Sequence, residues 1–280
     1  MLALPFVGVS LATDRPLYTI YTASAKGTYY QFGLDIQRAC PHLKIQVINT
    51  HGSLDNVNNL IQPSVMRTGH QFALVQNDAL AAMTEDEPRL KALITPAMRM
   101  YSEEITVLVS KSSNIQSLSD LAGKRVAVGV VGSGTWFSAA AIKSQLGITW
   151  ASIEIPAEES LLGVLSGDID ALITVSGHPV KFFSELGASM KGHVKLLNMS
   201  GVELDQMYKT AVLPKNTYLW QDRAVELRST RSTMITPSST PESATRALIQ
   251  CISSKQEELR AWGHPKWRTM QFPAVSTKTK

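Results

Sequence analysis

Residues 17–47 read LYTIYTASAKGTYYQFGLDIQRACPHLKIQV and contain the first unit of the pattern that decides the fold. The apolar and β-branched run Leu17–Thr22 predicts a strand, and the small residues after it predict a loop. Tyr29–Ala39 repeats apolar residues at helical spacing until Pro41, where a helix cannot continue. A second strand is expected over Lys44–Asn49. The order strand, loop, helix, strand is typical of a parallel α/β sheet.

The same alternation continues along the chain. Ser53 is a good N-cap for a helix that Pro63 would end, because its hydroxyl can accept a backbone N–H hydrogen bond. Further strands are expected at Phe72–Gln76, Ile105–Ser110, Arg125–Val130, Ile153–Ile155 and Ala171–Val175, with helices at 78–83, 136–145, 160–166, up to 186, and at 242–261. After Pro214 the pattern is unclear until the last helix. Two α/β halves of about 100 residues each, with a cleft between them, are therefore predicted.

The composition fits a globular protein with a full core. The 280 residues are 44% hydrophobic and 18% charged, which excludes disordered, collagenous and coiled-coil proteins. The net charge of +4 is not clustered, so no nucleic-acid partner is expected. Cys40 and Cys251 lack the spacing of a metal site. They could pair in an oxidising compartment if their helices are neighbours, but two separate buried thiols are the favoured prediction.

The first residues bear on where the protein acts. Leu2–Ala12 is an uncharged apolar run, and Ser10 with Ala12 satisfies the small-residue rule of signal-peptide cleavage. No lysine or arginine precedes the run, so residues 1–12 are interpreted either as a truncated signal peptide or as a first buried strand. No other stretch has the roughly 20 apolar residues of a membrane helix. A soluble, exported protein is therefore expected.

Five strand-to-helix junctions consist mainly of small, amide or hydroxyl residues. In open α/β sheets the ligand binds beyond the carboxyl ends of the strands, where such loops enter helices. Backbone amides at a helix start carry about half a positive charge, which suits a carboxylate or a phosphate. The junctions lie at Ala25–Thr28, Gly52–Ser53, Asn77–Asp78, Gly132–Thr135 and Ser176–Gly177. Because they come from both halves, a shared binding cleft is favoured over five ordinary helix caps.

The order of several short blocks resembles the TAXI family of TRAP-transporter solute-binding proteins. These blocks are Tyr21–Gly33; Asn49–Ser53 with Asn56 and Leu60; Phe72–Asp78; Gly123–Val126 with Gly132–Thr135; and Ile169–Ala171 with Thr174, Ser176, Gly177 and Pro179. The resemblance covers residues 17–215. Ala23 and Ser24 depart from it by replacing a glycine pair. Lys26 stands where a small residue is usual, and Gln31 replaces a proline.

The resemblance implies an α/β, two-lobed periplasmic-binding-protein fold of type II. Each lobe would be a mixed or parallel sheet flanked by helices, with a hinge between the lobes. Lobe 1 would comprise residues 13–104 and 214–280, and lobe 2 residues 105–213. The two hinge crossings are expected near Ile105–Val109 and Ala211–Pro214.

A receptor of this kind captures a small acidic metabolite and delivers it to the membrane subunits of a TRAP-type, ion-coupled permease. The resemblance implies glutamate, glutamine, 2-oxoglutarate or a C4 dicarboxylate as the ligand. A monomer in the periplasm, or exported and associated with the membrane, is expected, without a cofactor or a metal. The alternative within the same fold is a receptor that presents its ligand to a membrane sensor.

Ten residues are predicted to bind the ligand. They are Thr28, Tyr29, Ser53, Gln76, Asp78, Tyr101, Ser133, Gly134, Thr135 and Gly177. Helix capping or core packing is the alternative for each of them. The segment 133–135 suits an anion best, because glycine lets the backbone approach closely and hydroxyls complete the anion's shell. Lys26 could pair with a second carboxylate or point to solvent.

Enzyme interpretations have less support. Gly132 and Gly134 begin a GxGxxG pattern, but Phe137 occupies its last position and a P-loop lysine is missing. The histidines lack paired metal-ligand spacing. The adjacent pairs Glu103–Glu104 and Glu158–Glu159 are interpreted as solvated side chains that point apart in strands. No enzyme activity is therefore expected, with a two-lobed α/β transferase as the alternative.

Overall fold

The computed structural model describes residues 17–62, 69–202, 204 and 208–273. The apolar run at residues 1–12 and the proline expected to end the second helix, Pro63, lie outside the described residues. In the described part of the chain, no helix is both long and apolar enough to cross a membrane.

Strands and helices alternate as the sequence predicts. The strands are Tyr18–Tyr21 (β1), Ile45–Ile48 (β2), His70–Gln76 (β3), Ile94–Ser110 (β4), Arg125–Ala127 (β5), Ala151–Ile153 (β6), Ala171–Ser176 (β7), Val194–Leu196 (β8), Lys209–Leu213 (β9) and Val225–Pro237 (β10). The α-helices are Thr28–Ala39 (α1), Ser53–Ile61 (α2), Asn77–Asp86 (α3), Leu90–Leu93 (α4), Gly134–Gln145 (α5), Ala157–Ser166 (α6), Lys181–Ser184 (α7), Glu242–Ser254 (α8) and Gln256–Trp262 (α9). The single helix predicted over 242–261 is thus two helices separated at Lys255.

These strands form one mixed sheet in the order β2-β1-β3-β10-β4-β7-β5-β6, with β8 added at β4 and β9 at β10. β1 is parallel to β2 and β3, and β5 is parallel to β6 and β7. We call β1–β3 with α1–α4, α8 and α9 the first half, and β5–β9 with α5–α7 the second half. Each half contains three parallel strands flanked by helices, and in the second half β8 and β9 add antiparallel pairs with β4 and β10, which agrees with the predicted mixed or parallel sheet.

Two long strands connect the halves. β4 and β10 are antiparallel and pair from Ile105 with Arg228 to Ile94 with Pro237. β10 also borders β3 of the first half and β9 of the second half. Ala211–Leu213, where the second crossing is predicted, are the last residues of β9 and lie beside the start of β10; the crossing itself stays a prediction. The sequence conceals β10 because its central residues are polar although they are buried. The lobe boundaries at 105 and 214 stay a prediction.

Apolar packing explains why the central strands could be predicted. The last five residues of β3 and all six of β7 are buried. A strand covered on both faces is apolar along its length instead of alternating. Apolar clusters accordingly lie on both faces of each half, around Phe32 and Val75 in the first half and around Ile173 and Phe183 in the second.

Cys40 and Cys251 form a disulfide, so the prediction of two separate thiols is wrong. Cys40 caps the end of α1 and Cys251 lies in α8, with their Cα atoms 6.1 Å apart. Both belong to the apolar cluster of the first half. Since 211 residues separate them in sequence, only the packing of α8 against α1 brings them together.

Replacing both cysteines by alanine should lower the free energy of unfolding by about 2 to 4 kcal/mol, because the cross-link restricts a long loop of the unfolded chain. Urea unfolding of the oxidised wild type and of the double variant measures this difference. A reducing agent should bring the wild type close to the variant and leave the variant unchanged. Equal stability of the oxidised and reduced wild type would contradict a stabilising cross-link.

Candidate ligand-binding cleft

A cavity of about 290 Å³ lies between the two halves. Four helices begin at its wall, α1 and α2 from the first half and α5 and α6 from the second. The lining residues at these helix starts are Gly27, Thr28, Tyr29, Gly52, Ser53, Ser133, Gly134, Thr135, Pro156, Ala157 and Glu158. The first N–H groups of each helix have no partner inside the helix and carry partial positive charge. The cavity wall is therefore suited to an anionic group.

At the start of α1, both predicted ligand residues line the cavity and also bind protein groups. The Thr28 hydroxyl donates a hydrogen bond to the Gly177 carbonyl at 2.8 Å and lies 3.0 Å from the Ser176 hydroxyl. The Tyr29 hydroxyl donates to the Glu103 carboxyl at 2.8 Å. Thr28 thus joins the first half to the loop after β7, while Tyr29 fixes an acidic side chain in the cavity.

At the start of α5, the segment 133–135 lines the cavity as predicted. The Ser133 hydroxyl caps the helix by accepting from the Trp136 amide at 3.2 Å, and the Thr135 hydroxyl accepts from Val175 N at 3.0 Å. Gly134 packs directly against the side chain of Gln76, which a Cβ atom at this position would overlap. The close contact explains why glycine is needed here.

The start of α2 contacts the start of α5 across the cleft. The Leu54 amide donates to the Gly132 carbonyl at 2.9 Å. Gly52 has a φ of +109°, and a Cβ there would lie 3.3 Å from the Cα of Ser133. Ser53 lines the cavity, and its hydroxyl accepts from the Gln76 amide at 3.2 Å. The two halves are therefore in direct contact, which is a closed arrangement of the cleft.

Asp78 was predicted to bind the ligand but lies behind Gln76, outside the cavity wall. Its carboxyl accepts hydrogen bonds from both halves: Gln76 Nε2 at 2.6 Å, Ala79 N at 3.0 Å, Ser138 Oγ at 2.5 Å, Tyr208 Oη at 2.7 Å and Thr230 Oγ1 at 3.4 Å. Ser138 lies on α5, so the bond to it crosses between the halves. Gln76 lines the cavity and thereby connects it to this network.

Tyr101 and Gly177 also lie outside the cavity wall. Tyr101 is buried against Phe32, with ring centroids 4.2 Å apart, and its ring packs on Gly177, where a Cβ would overlap it. The Tyr101 hydroxyl is buried without a hydrogen-bond partner among the described residues. Tyr101 thus packs against the loop whose Gly177 carbonyl accepts the Thr28 hydrogen bond; the ligand role of both residues stays a prediction.

Lys26 does not line the cavity either. Its ammonium pairs with Glu185 at 2.9 Å, and both side chains are 45% exposed. At the mouth, the Ser24 hydroxyl donates to Glu158 at 3.1 Å. Both contacts connect the first half to the second. Because exposed ion pairs contribute little free energy, the Lys26 pair is a weak bridge between the halves.

Glu103 is the cavity residue that the sequence interpretation missed. Glu103 and Glu104 are 2% and 8% exposed, so the interpretation of solvated side chains is wrong. They do point apart, since Glu103 receives the Tyr29 hydrogen bond and Glu104 pairs with Lys266. Burial raises the pKa of Glu103 to about 8. The burial of Glu103 was not predicted because the apolar strand was expected to begin only at Ile105, whereas β4 begins at Ile94.

The other acidic pair, Glu158 and Glu159, lies in the first turn of α6 and not in a strand. The helix starts three residues earlier than predicted, at Ala157. Glu158 therefore sits at the cavity mouth, while Glu159 is exposed.

A family model described as the NMT1-like family matches residues 20–278. A solved structure titled as a periplasmic transporter aligns with a TM-score of 0.58 and 12% identity, over 88% of this chain and 85% of that chain. The periplasmic binding protein BugD aligns with a TM-score of 0.58 and 13% identity, over 91% and 85%. The periplasmic aliphatic sulphonate binding protein SsuA from Escherichia coli aligns with a TM-score of 0.53 and 15% identity, over 88% and 71%. These likenesses confirm the predicted fold class, that of a two-lobed periplasmic binding protein.

Replacing Asp78 by alanine should lower the free energy of unfolding by about 2 to 4 kcal/mol, because several buried donors would lose their acceptor. The matched control is Asp86→Ala, which removes an exposed carboxyl from the other end of α3 and should change stability by less than about 0.5 kcal/mol. Urea unfolding measures both variants. Equal effects of the two substitutions would show that the Asp78 network adds no stability.

Proposed function

The chain belongs to the NMT1-like family, and on this basis we propose that it is an extracytoplasmic solute receptor. The ligand is a small acidic metabolite, bound in the cavity between the two halves. The receptor acts as a monomer and delivers the ligand to the membrane subunits of a TRAP-type permease. The permease assignment is supported by the TAXI resemblance of residues 21–179.

The observation that carries the proposal is the convergence of four helix N-termini on one cavity between the halves. A carboxylate placed there would accept hydrogen bonds from backbone amides and would lie at the positive ends of four helix dipoles. Such a site needs no arginine, and within the described ranges neither arginine nor lysine lines the cavity. The cavity volume of about 290 Å³ suits a metabolite of roughly the size of glutamate.

Release of the ligand requires the halves to separate. β4 and β10 are the strands that pass between them, so the hinge belongs to this pair. The contacts that would break include hydrogen bonds, such as those from Thr28 to Gly177 and from Leu54 to Gly132, and the packing of Phe137 on the apolar cluster of the first half. Water can replace such bonds at a small net cost, which favours reversible opening.

The disulfide supports a location outside the cytoplasm. Cross-links of this kind persist in oxidising compartments such as the periplasm and are rare in the cytosol. The bond between Cys40 and Cys251 therefore agrees with an exported receptor. It adds an observation independent of the apolar run at residues 1–12.

Isothermal titration of unfolded and refolded protein, freed of any copurified ligand, tests the proposal. Glutamate, glutamine, 2-oxoglutarate and succinate are the ligands to titrate. One acid should bind with one-to-one stoichiometry and be recovered unchanged, as a receptor requires and an enzyme does not. Absence of binding by every acid would contradict the proposed function.

Gly134→Ala should weaken that binding at least tenfold, because the added methyl group displaces Gln76 and occupies the cavity wall. The matched control is Gly192→Ala, where a Cβ atom meets nothing within 4 Å and the residue does not line the cavity. Its affinity should equal that of the wild type. Unchanged affinity in Gly134→Ala would place the ligand elsewhere.

A further inference from the structure

The ionisable side chains of the cavity are predominantly acidic. Glu103 forms part of its inner wall and Glu158 part of its mouth. His51 also lines the cavity, but its ring lies 2.8 Å from Asp55 and its side chain is 76% exposed. Among the described residues, the lining contains no lysine or arginine that could neutralise Glu103.

Glu103 is incompletely satisfied by the protein. Oε2 accepts the hydrogen bond from the Tyr29 hydroxyl, while Oε1 has no hydrogen-bond partner among the described residues. The residue is only 2% exposed and lines the cavity. A buried carboxyl with an open oxygen is costly unless another group completes its hydrogen bonds.

The neighbouring residue in β4, Glu104, is a carboxyl with both a cation and a hydrogen-bond donor. Glu104 pairs with the Lys266 ammonium and also accepts from the His178 amide at 3.2 Å. Glu103, one residue away on the opposite face of β4, has no such cation. The missing partner of Glu103 is therefore a group that enters the cavity.

We propose that Glu103 is a specificity-determining residue that binds the ammonium group of a small zwitterionic acid. The inference rests on the proposed receptor function and narrows its ligand class. The carboxylate of the ligand lies at the helix N-termini, and its ammonium donates to Oε1 of Glu103. Tyr29 holds the carboxyl in place through Oε2.

This arrangement separates the candidate ligands by charge. Glutamate and glutamine carry an ammonium beside a carboxylate. Succinate and 2-oxoglutarate carry two carboxylates and no cation, so one end would meet Glu103 without a compensating basic side chain. A carboxylate at that end would be a like charge to the ionised form of Glu103 and would keep the carboxyl protonated, whereas an ammonium pairs with the ionised form.

The protonation state of Glu103 provides a second test of the proposal. The titratable groups that act on its charge are Tyr29 from α1, Asp78 from α3, Tyr101 and Glu104 from β4, and Lys266 from the 3₁₀ helix Pro265–Arg268. With its pKa raised to about 8, mainly by burial, the carboxyl is mostly protonated at pH 7. An ammonium beside it favours the ionised form. Each binding event therefore releases one proton, and affinity rises up to about tenfold per pH unit below pH 8.

Titration calorimetry of L-glutamate and L-glutamine, compared with glutarate, 2-oxoglutarate and succinate, tests the inference. In the wild type the two amino acids should bind at least 30-fold more tightly than the amine-free acids. Repeating the titration in buffers of different ionisation enthalpy should reveal the released proton. Glu103→Gln keeps the acceptor for Tyr29 and should lose the preference for the amine, the proton release and the pH dependence together.

Glu159→Gln is the matched control, since it removes an exposed carboxyl that does not line the cavity. It should bind as the wild type does. If an amine-free acid binds as tightly as glutamate, or if affinity falls as the pH rises, Glu103 acts as a protonated donor and the inference is overturned while the receptor function stands. If no acid binds at all, the receptor function itself fails.

Discussion

The antiparallel pairing of β4 with β10 is the constraint on which the rest of the structure depends. Both strands span the two halves, β4 from the first into the second and β10 in the opposite direction, so this ladder sets how the two layers face each other. Glu103 pairs with Thr230 in the middle of it, and from Glu104 onward β4 also borders β7. The carboxyl of Glu103 is thereby held where the halves meet. The position of the cavity follows from the same register, because the helices that begin at its wall follow strands of this sheet.

The polar character of β10 accompanies this position in the fold. Arg228, Ser229, Thr230, Ser232 and Thr233 are buried, although a central strand is usually apolar. Their side chains bond neighbouring strands and loops, as the Arg228 guanidinium does with the Val202 carbonyl at 2.6 Å. Apolar side chains at this place would oppose separation of the halves, because opening would expose them to water. A hydrogen-bonded seam can exchange its partners for water, which is what a closing and opening cleft requires.

How far the sequence predicts this structure depends on where each residue's partner lies. β3, β7 and α1 are predictable because apolar periodicity reports burial within one element. The junctions at Thr28, Ser53 and 133–135 line the cavity, as predicted. They are predictable because a strand end and a helix start are each recognised from neighbouring residues. β10, the disulfide and the burial of Glu103 are not predictable in this way. Each depends on segments more than 70 residues apart, which a single sequence does not connect.

Asp78 and Glu103 are both buried carboxyls, but their surroundings give them different roles. Asp78 is surrounded by donors on both oxygens, and two of them, Ser138 and Tyr208, lie outside the first half. A group satisfied by the protein gains nothing from a ligand, so Asp78 ties the halves together. Glu103 has one donor, Tyr29, and lines the cavity. The number of donors the fold supplies, more than the residue type, therefore decides which carboxyl stabilises the closed cleft and which one is left for a ligand.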